Sequence, residues 1–476
     1  MIRPVGRMMS VAIAGVVVLM VALAGAPAVS ATPPGAPGLL ALACDDGLWT
    51  IGPDGSGLTL LSAMPVGTPD WSPGGTRIAF TLADEAGGRN VWTMDADGSG
   101  AMRLTKSAIA LDPSWSPNGE RLSFSSNQPV HGLSGRHIRE ILAERDANSV
   151  SLYGMTGGAG DPAWSPDLEE IAFVALAGSE QGIWLLSSLT FTVERGPVPP
   201  PGAIDGAPDW APSADRYVFT RSIGSVGSIY AVDHDGTDLD RLTGGTIDAR
   251  SPTYSADGAS IAFLARPAAE AGTDGAYDLV VMDSNGDNQA PIATDLDCNH
   301  VDWQPIPEFP LVDARFSRFE AAIRWAFGEG ISTGCTAERF CHQANLRRGQ
   351  AASFLARALD LPAATEDHFG DDDGMTHEAD INRLAEAGVT TGCAENRFCP
   401  TSRITRAELA SLLARALKLP AATRDYFSDD DGMTHEANIN RLAEAGLTSG
   451  CAEDRFCPRR VITRGETVAL LYRALN

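Results

Sequence analysis

Eight cysteines, a recurring arginine and two runs of three aspartates are the residues of this chain whose types and spacing could do chemistry. Six of the cysteines form three Cys-x5-Cys pairs, Cys335 with Cys341, Cys393 with Cys399 and Cys451 with Cys457, set 58 residues apart. The spacing is wrong for zinc knuckles and His342 stands beside only one pair, so disulfides are expected. Each such bridge closes a small loop and stabilises by on the order of 2 kcal/mol if unstrained. Cys44 and Cys298 are left to pair with each other or to stay free. The runs Asp371-Asp372-Asp373-Gly374 and Asp429-Asp430-Asp431-Gly432 invite a calcium reading, with Asp371, Asp373, Glu378, Asp429, Asp431 and Glu436 as candidate ligands. The twelve-residue EF-hand spacing is not met, and an acid-rich helix start accounts for the same residues, so no metal is assigned. His377 and His435 read as surface or packing residues.

Arg406 and Arg464 sit in Thr405-Arg406-Ala407-Glu408 and Thr463-Arg464-Gly465-Glu466. Thr with Glu three residues on is a capping box, which explains those two residues and not the arginine. A cation at a helix N-terminus opposes the helix dipole, so each arginine asks for a further partner, either a carboxylate ligand or a local ion pair.

Composition sets the class. The chain has 476 residues, 44% of them apolar and 20% charged, enough for folded cores and too long for one. With 36 Lys plus Arg against 61 Asp plus Glu, its net charge of −25 repels phosphate backbones and excludes nucleic acid as a partner. Arg3 and Arg7 precede an apolar run from Met8 to Ala24 and small residues through Ala31, the layout of a secretory signal over residues 1–31. Export, an oxidising compartment and no membrane span after cleavage are expected, an uncleaved anchor being the alternative.

Two repeat systems position the chemistry. Pro69-Asp70-Trp71-Ser72-Pro73 recurs around Trp115, Trp164, Trp210, Tyr254 and Trp303, at spacings of 44, 49, 46, 44 and 49 residues, the period of a four-stranded blade. Apolar strands such as Ile78-Ala79-Phe80 and Ile261-Ala262-Phe263 follow the first five anchors across hairpin turns. The sixth, Trp303, has no strand after it, whereas Leu48–Ile51 and Leu58–Leu60 form an orphan half blade at the other end. The halves should complete each other, with Cys44 and Cys298 bonded across the joint and contributing on the order of 5 kcal/mol. Residues 127–150 read as a polar insertion without a clear third strand. Asp70, Asp209 and Asp302 precede three anchors at one repeated position, so a structural or channel-lining role is expected for them. The Trp-Ser-Pro, Ile-Ala-Phe and Asp-x-Asp-Gly elements resemble the TolB-type propeller family, which implies a six-bladed all-β ring over 45–306, after a linker at 32–44.

Beyond Pro305, Pro307 and Pro310 the period becomes 3.6, and a 58-residue offset aligns Phe340, Phe398 and Phe456 as well as Arg348, Arg406 and Arg464. Phe369-Gly370-Asp371, Phe427-Ser428-Asp429, helices ending at Gly388 and Gly446, and Ile404-Thr405-Arg406-Ala407-Glu408 resemble S-layer homology repeats, here at 307–362, 363–420 and 421–476. That resemblance implies an all-α prism whose grooves hold anionic cell-wall polysaccharide, with Arg348, Arg406, Arg464, Asp313, Asp371 and Asp429 as the carried-over glycan contacts. The first copy departs from it, with Leu346-Arg347-Arg348-Gly349-Gln350 lacking a Thr cap and Leu311-Val312-Asp313 replacing Phe-x-Asp.

The expected protein is multidomain, a propeller plus a C-terminal helical repeat domain, secreted to the cell surface and anchored on wall polysaccharide. Its propeller presents a binding face to an unknown protein or ligand, and no cofactor and no enzyme activity are expected. The rival readings are a propeller lyase or glycosidase acting on extracellular polysaccharide, and helical repeats that mediate protein assembly.

Overall fold

The computed structural model describes residues 36–476 except 85–86, 107–108, 129–134, 144–149, 155–157 and 178–179, so the secretory-signal expectation lies outside the described residues. Among the described residues of 36–306 the regular structure is all β apart from a short 3-10 turn, arranged in five hydrogen-bonded sheets. Four have four strands each, and the fifth has eight, in which 159–195 and 203–241 are joined by a single parallel pairing of Gln181 with Ile204. In each antiparallel ladder the strand after the anchor is the most buried, because its apolar residues meet neighbouring sheets on both faces: Ile78, Phe80, Phe173, Val218, Phe219, Ile261 and Phe263 are fully enclosed.

One sheet joins the two ends of this region. Cys298–Ile306 pairs with Ala36–Cys44, which pairs with Gly47–Ile51 and then Thr59–Ser62, so that Leu40 lies opposite Trp303 and Cys44 opposite Cys298. The closure is therefore one strand plus three, and Ala36–Cys44 is a strand rather than the linker expected over 32–44. Its Leu40-Ala41-Leu42-Ala43 stretch is buried throughout and lacks alternation, which is why a period-two pattern did not reveal it. Cys44–Cys298, Cys335–Cys341, Cys393–Cys399 and Cys451–Cys457 are all bonded. The segment 127–150 does contain a third strand, His137–Leu142, paired with Arg121–Ser126. Its charged residues hide it: Glu140 is buried and accepts from Arg121 Nη1 at 2.7 Å.

Residues 312–476 form three helix pairs around one core: α1 (Glu320–Gly328), α2 (Arg348–Ala358), α3 (Glu378–Glu386), α4 (Arg406–Ala416), α5 (Glu436–Glu444) and α6 (Arg464–Leu475). Both expected capping boxes are present. Thr405 and Thr463 accept from the amides of Glu408 and Glu466, whose carboxylates accept from the threonine amides. In the first copy, Gln350 accepts from the Arg347 amide in the same way.

The two regions are docked through the first repeat. Glu338, in its disulfide loop, accepts from Ser72 Oγ at 2.7 Å, from the Thr76 amide at 2.9 Å and from the Thr76 hydroxyl. Arg339 Nη2 donates to Glu120 at 2.6 Å and Arg315 Nη2 to the Pro166 carbonyl at 3.3 Å, so three successive anchor turns are gripped. A Cβ on Gly74 would lie 2.4 Å from the Glu338 side chain, so any larger residue there would have to displace Glu338.

Replacing Cys44 and Cys298 together by serine removes a crosslink across 254 residues, for which chain entropy sets a ceiling of about 5 kcal/mol. Near-ultraviolet thermal melts are expected to show the β region unfolding at a markedly lower midpoint while the helical region keeps its own transition.

Candidate functional site

In the helical region each repeat reaches into the next. Arg348 Nε donates to the Phe398 carbonyl, Arg406 Nε to that of Phe456 and Arg464 Nε to that of Phe340, each at 2.9 Å. Each guanidinium also lies over the ring of the same phenylalanine, at 4.9, 4.7 and 4.8 Å. A second ring runs along the backbone: the Leu346 amide donates to Ile462, Ile462 to Ile404 and Ile404 back to Leu346. The N-terminal amides of α2, α4 and α6, which a helix cannot satisfy itself, donate to loop carbonyls of another repeat, as Arg406 does to Arg460 and Arg464 to Ala344.

This resolves the arginine that the capping box left unexplained. Its partner is a backbone carbonyl and a ring from another repeat, which no local pattern contains. Arg348 additionally meets Glu408 at 3.1 Å, and Arg464 Nη2 donates to Ser332 Oγ at 3.3 Å. All three are buried, and burial lowers the pKa of Arg406, and that of Arg464 to about 10.

The aspartates have an internal task too. Asp313 accepts from the amides of Phe340 and Cys341, Asp371 from Phe398 and Cys399, and Asp429 from Phe456 and Cys457, at 2.6–3.0 Å. Burial opposes their charge, but these hydrogen bonds, with the His342 ring 3.7 Å away at Asp313, outweigh it and hold all three below the usual carboxylate range. They hold the disulfide loops in shape. Of the calcium candidates, Asp371 and Asp429 are thus occupied, and Glu378 and Glu436 accept from the Gly374 and Gly432 amides. His377 and His435 pack against Ser353 and Ser411, their Nδ1 atoms 2.8 Å from the hydroxyls.

A cavity of about 490 Å³ between α6 and α1 is open to a ligand, lined by Arg318, Phe319, Arg406, Thr448, Ser449, Glu466, Tyr472 and Arg473 among others. Its one acid, Glu466, is committed to the Thr463 amide and to Arg460 at 2.5 Å. Three cations, joined by two aromatic faces and three hydroxyls, make this groove locally positive on a strongly acidic chain. Of the sequence candidates only Arg406 lines it. Arg318 and Arg473 were missed, although the 58-residue spacing of Arg357, Arg415 and Arg473 was visible. Arg318 has no counterpart, the aligned positions being Thr376 and Thr434.

In the β region the anchors converge on a cavity of about 240 Å³, lined by Asp70, Trp71, Trp115, Trp164, Trp210, Tyr254, Asp302 and Trp303 among others. Asp302 accepts from the Trp71 amide at 2.6 Å, Asp70 from Trp115 at 2.7 Å and Asp209 from Tyr254 at 2.7 Å. Each carboxylate ties one anchor to the next, the structural role expected of them. A bulge two residues earlier puts Thr68, Asp112, Asp161, Ala207 and Ser251 at positive φ and turns them toward the axis. Asp161 lines the cavity with Asp112 and is pushed up to about 7, first by burial and then by that neighbour's charge. Arg136 stands 3.7 Å from Asp112. Asp161 and His300 also line the adjoining wider cavity, of about 940 Å³.

Residues 368–410 and 426–468 match the S-layer homology domain. The chain is 30% identical over 159 residues to an S-layer protein of Bacillus thuringiensis subsp. finitimus, covering 32% of this chain and 19% of that protein. It is 36% identical over 95 residues to an endoglucanase of Bacillus sp. (strain KSM-635), covering 20% of this chain and 10% of that one. It therefore spans a fifth or less of the length of these curated relatives. Among solved structures, TolB from Acinetobacter baumannii is similar at 17% identity and a TM-score of 0.47, over 56% of this chain and 67% of that one.

Two outcomes follow from the rings. Replacing Arg464 by alanine leaves the Phe340 carbonyl unpaired in a buried place, and is expected to cost about 3 kcal/mol in urea unfolding of the helical region. Asp209 is pushed up to about 7 by burial and by Asp302, above its unfolded value of 3.8. Its contribution to stability is complete below the unfolded value and is lost as pH rises through about 7. Urea midpoints at about pH 5 and about pH 8 should differ less in Asp209→Asn than in the parent protein.

Proposed function

We propose that this protein, whose C-terminal region carries S-layer homology repeats, is held non-covalently at the cell surface by an anionic wall polysaccharide seated between α6 and α1. The supporting observation is the groove itself, with Arg318, Arg406 and Arg473 facing one cavity whose single acid is already paired. Cations meet carboxylate or phosphate groups of a polymer, and aromatic faces such as Phe319 and Tyr472 suit the apolar faces of sugar rings. Arg348, Arg464, Asp313, Asp371 and Asp429 then act as the frame that shapes the groove. The repeats are taken at 307–362, 363–420 and 421–476. The eight-stranded sheet counts as two blades, so that the β region, from Ala36 to Ile306, is a closed six-bladed ring presenting its wide mouth to a protein or ligand.

A second reading, a propeller enzyme acting on extracellular polysaccharide, has one observation in its favour: Asp112 and Asp161 line one cavity, with Arg136 3.7 Å from Asp112. A carboxyl raised by burial beside a second carboxyl is placed to act as a general acid. Loss of polysaccharide cleavage in Asp161→Asn would support it, and absence of any cleavage by the parent protein would remove it.

For the anchoring reading, Arg318→Glu places an exposed charge reversal in the groove without touching the interlocking arginines. Retention on purified cell wall is expected to fall at least about tenfold, roughly the 1.4 kcal/mol of one charge-assisted contact. Retention by the parent protein should itself weaken as salt is raised. Unchanged retention in the folded variant would remove the proposed groove.

A further inference from the structure

At the start of the second repeat, carboxylate oxygens of Asp367, Asp372 and Asp373 lie within 4.8 Å of one another, and Asp425, Asp430 and Asp431 reproduce the cluster in the third. Acidic clusters alone mean little on a chain of net charge −25. The second observation is specific to Asp372 and Asp430. Each is 0% exposed, and neither oxygen of either carboxylate has a hydrogen-bond partner. A buried, unpartnered carboxylate is costly unless a counter-charge meets it. The charges bearing most on Asp372 are Asp367, Asp371 and Glu378, and on Asp430 they are Asp425, Glu436 and Asp429, all acidic.

The first repeat shows that folding does not require these acids. At the same offset of 58 it has Phe309, Ala314 and Arg315 in place of Asp367, Asp372 and Asp373. Ala314 is fully buried and Arg315 is turned to the Pro166 carbonyl of the β region. The same loop thus closes with alanine where it serves docking. In the other two copies it carries three carboxylates, one of them positioned by its helix: Asn382 Nδ2 donates to Asp367 at 3.1 Å and Asn440 Nδ2 to Asp425 at 2.9 Å.

We propose that the second and third repeats each bind one calcium ion, through Asp367, Asp372 and Asp373 and through Asp425, Asp430 and Asp431. An all-oxygen, acid-only donor set suits a hard cation, and three carboxylates leave coordination places for water. The cysteines nearest this region are disulfide-bonded and supply no thiolate. The site differs from the sequence candidates because Asp371, Glu378 and their counterparts are spent on backbone amides, and Asp367 and Asp425 lie ahead of the aspartate runs.

The test is equilibrium dialysis of the full, oxidised chain against about 1 mM calcium, the range of extracellular modules, with bound metal counted by elemental analysis. Two equivalents per chain are expected, one in Asp372→Ala or Asp430→Ala, and none in the double variant. Calcium should raise the melting midpoint of the parent helical region and leave that of the double variant unmoved. In chelator the double variant should melt no lower than the parent, since the first repeat already folds with alanine there. As a variant that leaves the buried position intact, Asp373→Asn with Asp431→Asn should weaken calcium at least about tenfold, one lost charge contact at each site. A parent protein that retains no calcium, or a double variant that still holds two ions, overturns the proposal.

Discussion

Everything in this molecule depends on side chains that leave one repeat to satisfy the backbone of another. In the β region the carriers are aspartates, each accepting the amide of the following anchor. In the helical region they are arginines, each donating to a phenylalanine carbonyl a repeat away. Neither a lone four-stranded sheet nor a lone helix pair can bury its apolar surface, so repeats are stable only in company. Cyclic hydrogen bonds turn company into closure, because the last unit completes the first.

Closure also explains the chemistry that is absent from positions where the sequence invites it. An aspartate that caps two amides has little left for a ligand, and an arginine held by a carbonyl and an aromatic face keeps only the nitrogens beyond Nε, as at Arg406, which lines the groove. The free chemistry is displaced to places where the repeats are unequal. Arg318 stands where the other copies have threonine, and Phe319 where they have histidine. Asp112 and Asp161 sit on bulges where other blades carry Thr68, Ala207 and Ser251. In a repeat protein, symmetry builds the frame and departures from it supply the sites.

Periodicity made the two regions legible, along with the capping boxes, the four disulfides and the structural role of the channel aspartates. The 44- to 49-residue anchor spacing and the 58-residue offset are features of the linear chain, and so are readable from it. Ala36–Cys44 was not, because a strand buried on both faces carries no alternation, nor was His137–Leu142, whose charge pairs with a distant arginine. The partners of Arg406 and Arg464 were out of reach for a different reason. Their carbonyls lie on Phe456, 50 residues ahead, and Phe340, 124 behind, and a carbonyl leaves no mark on residue identity.

The docking of the first repeat has a mechanical consequence. Glu338, Arg339 and Arg315 hold three consecutive anchor turns of the β region, while the wider cavity is lined by residues toward the other ends of the same strands, such as Thr81 and Thr220. The joint is a clamp with several points of purchase. Whatever grips the prism therefore sets the heading of the mouth as well. Load applied at one end arrives at the other as a turn of the whole body, and the opening keeps its bearing.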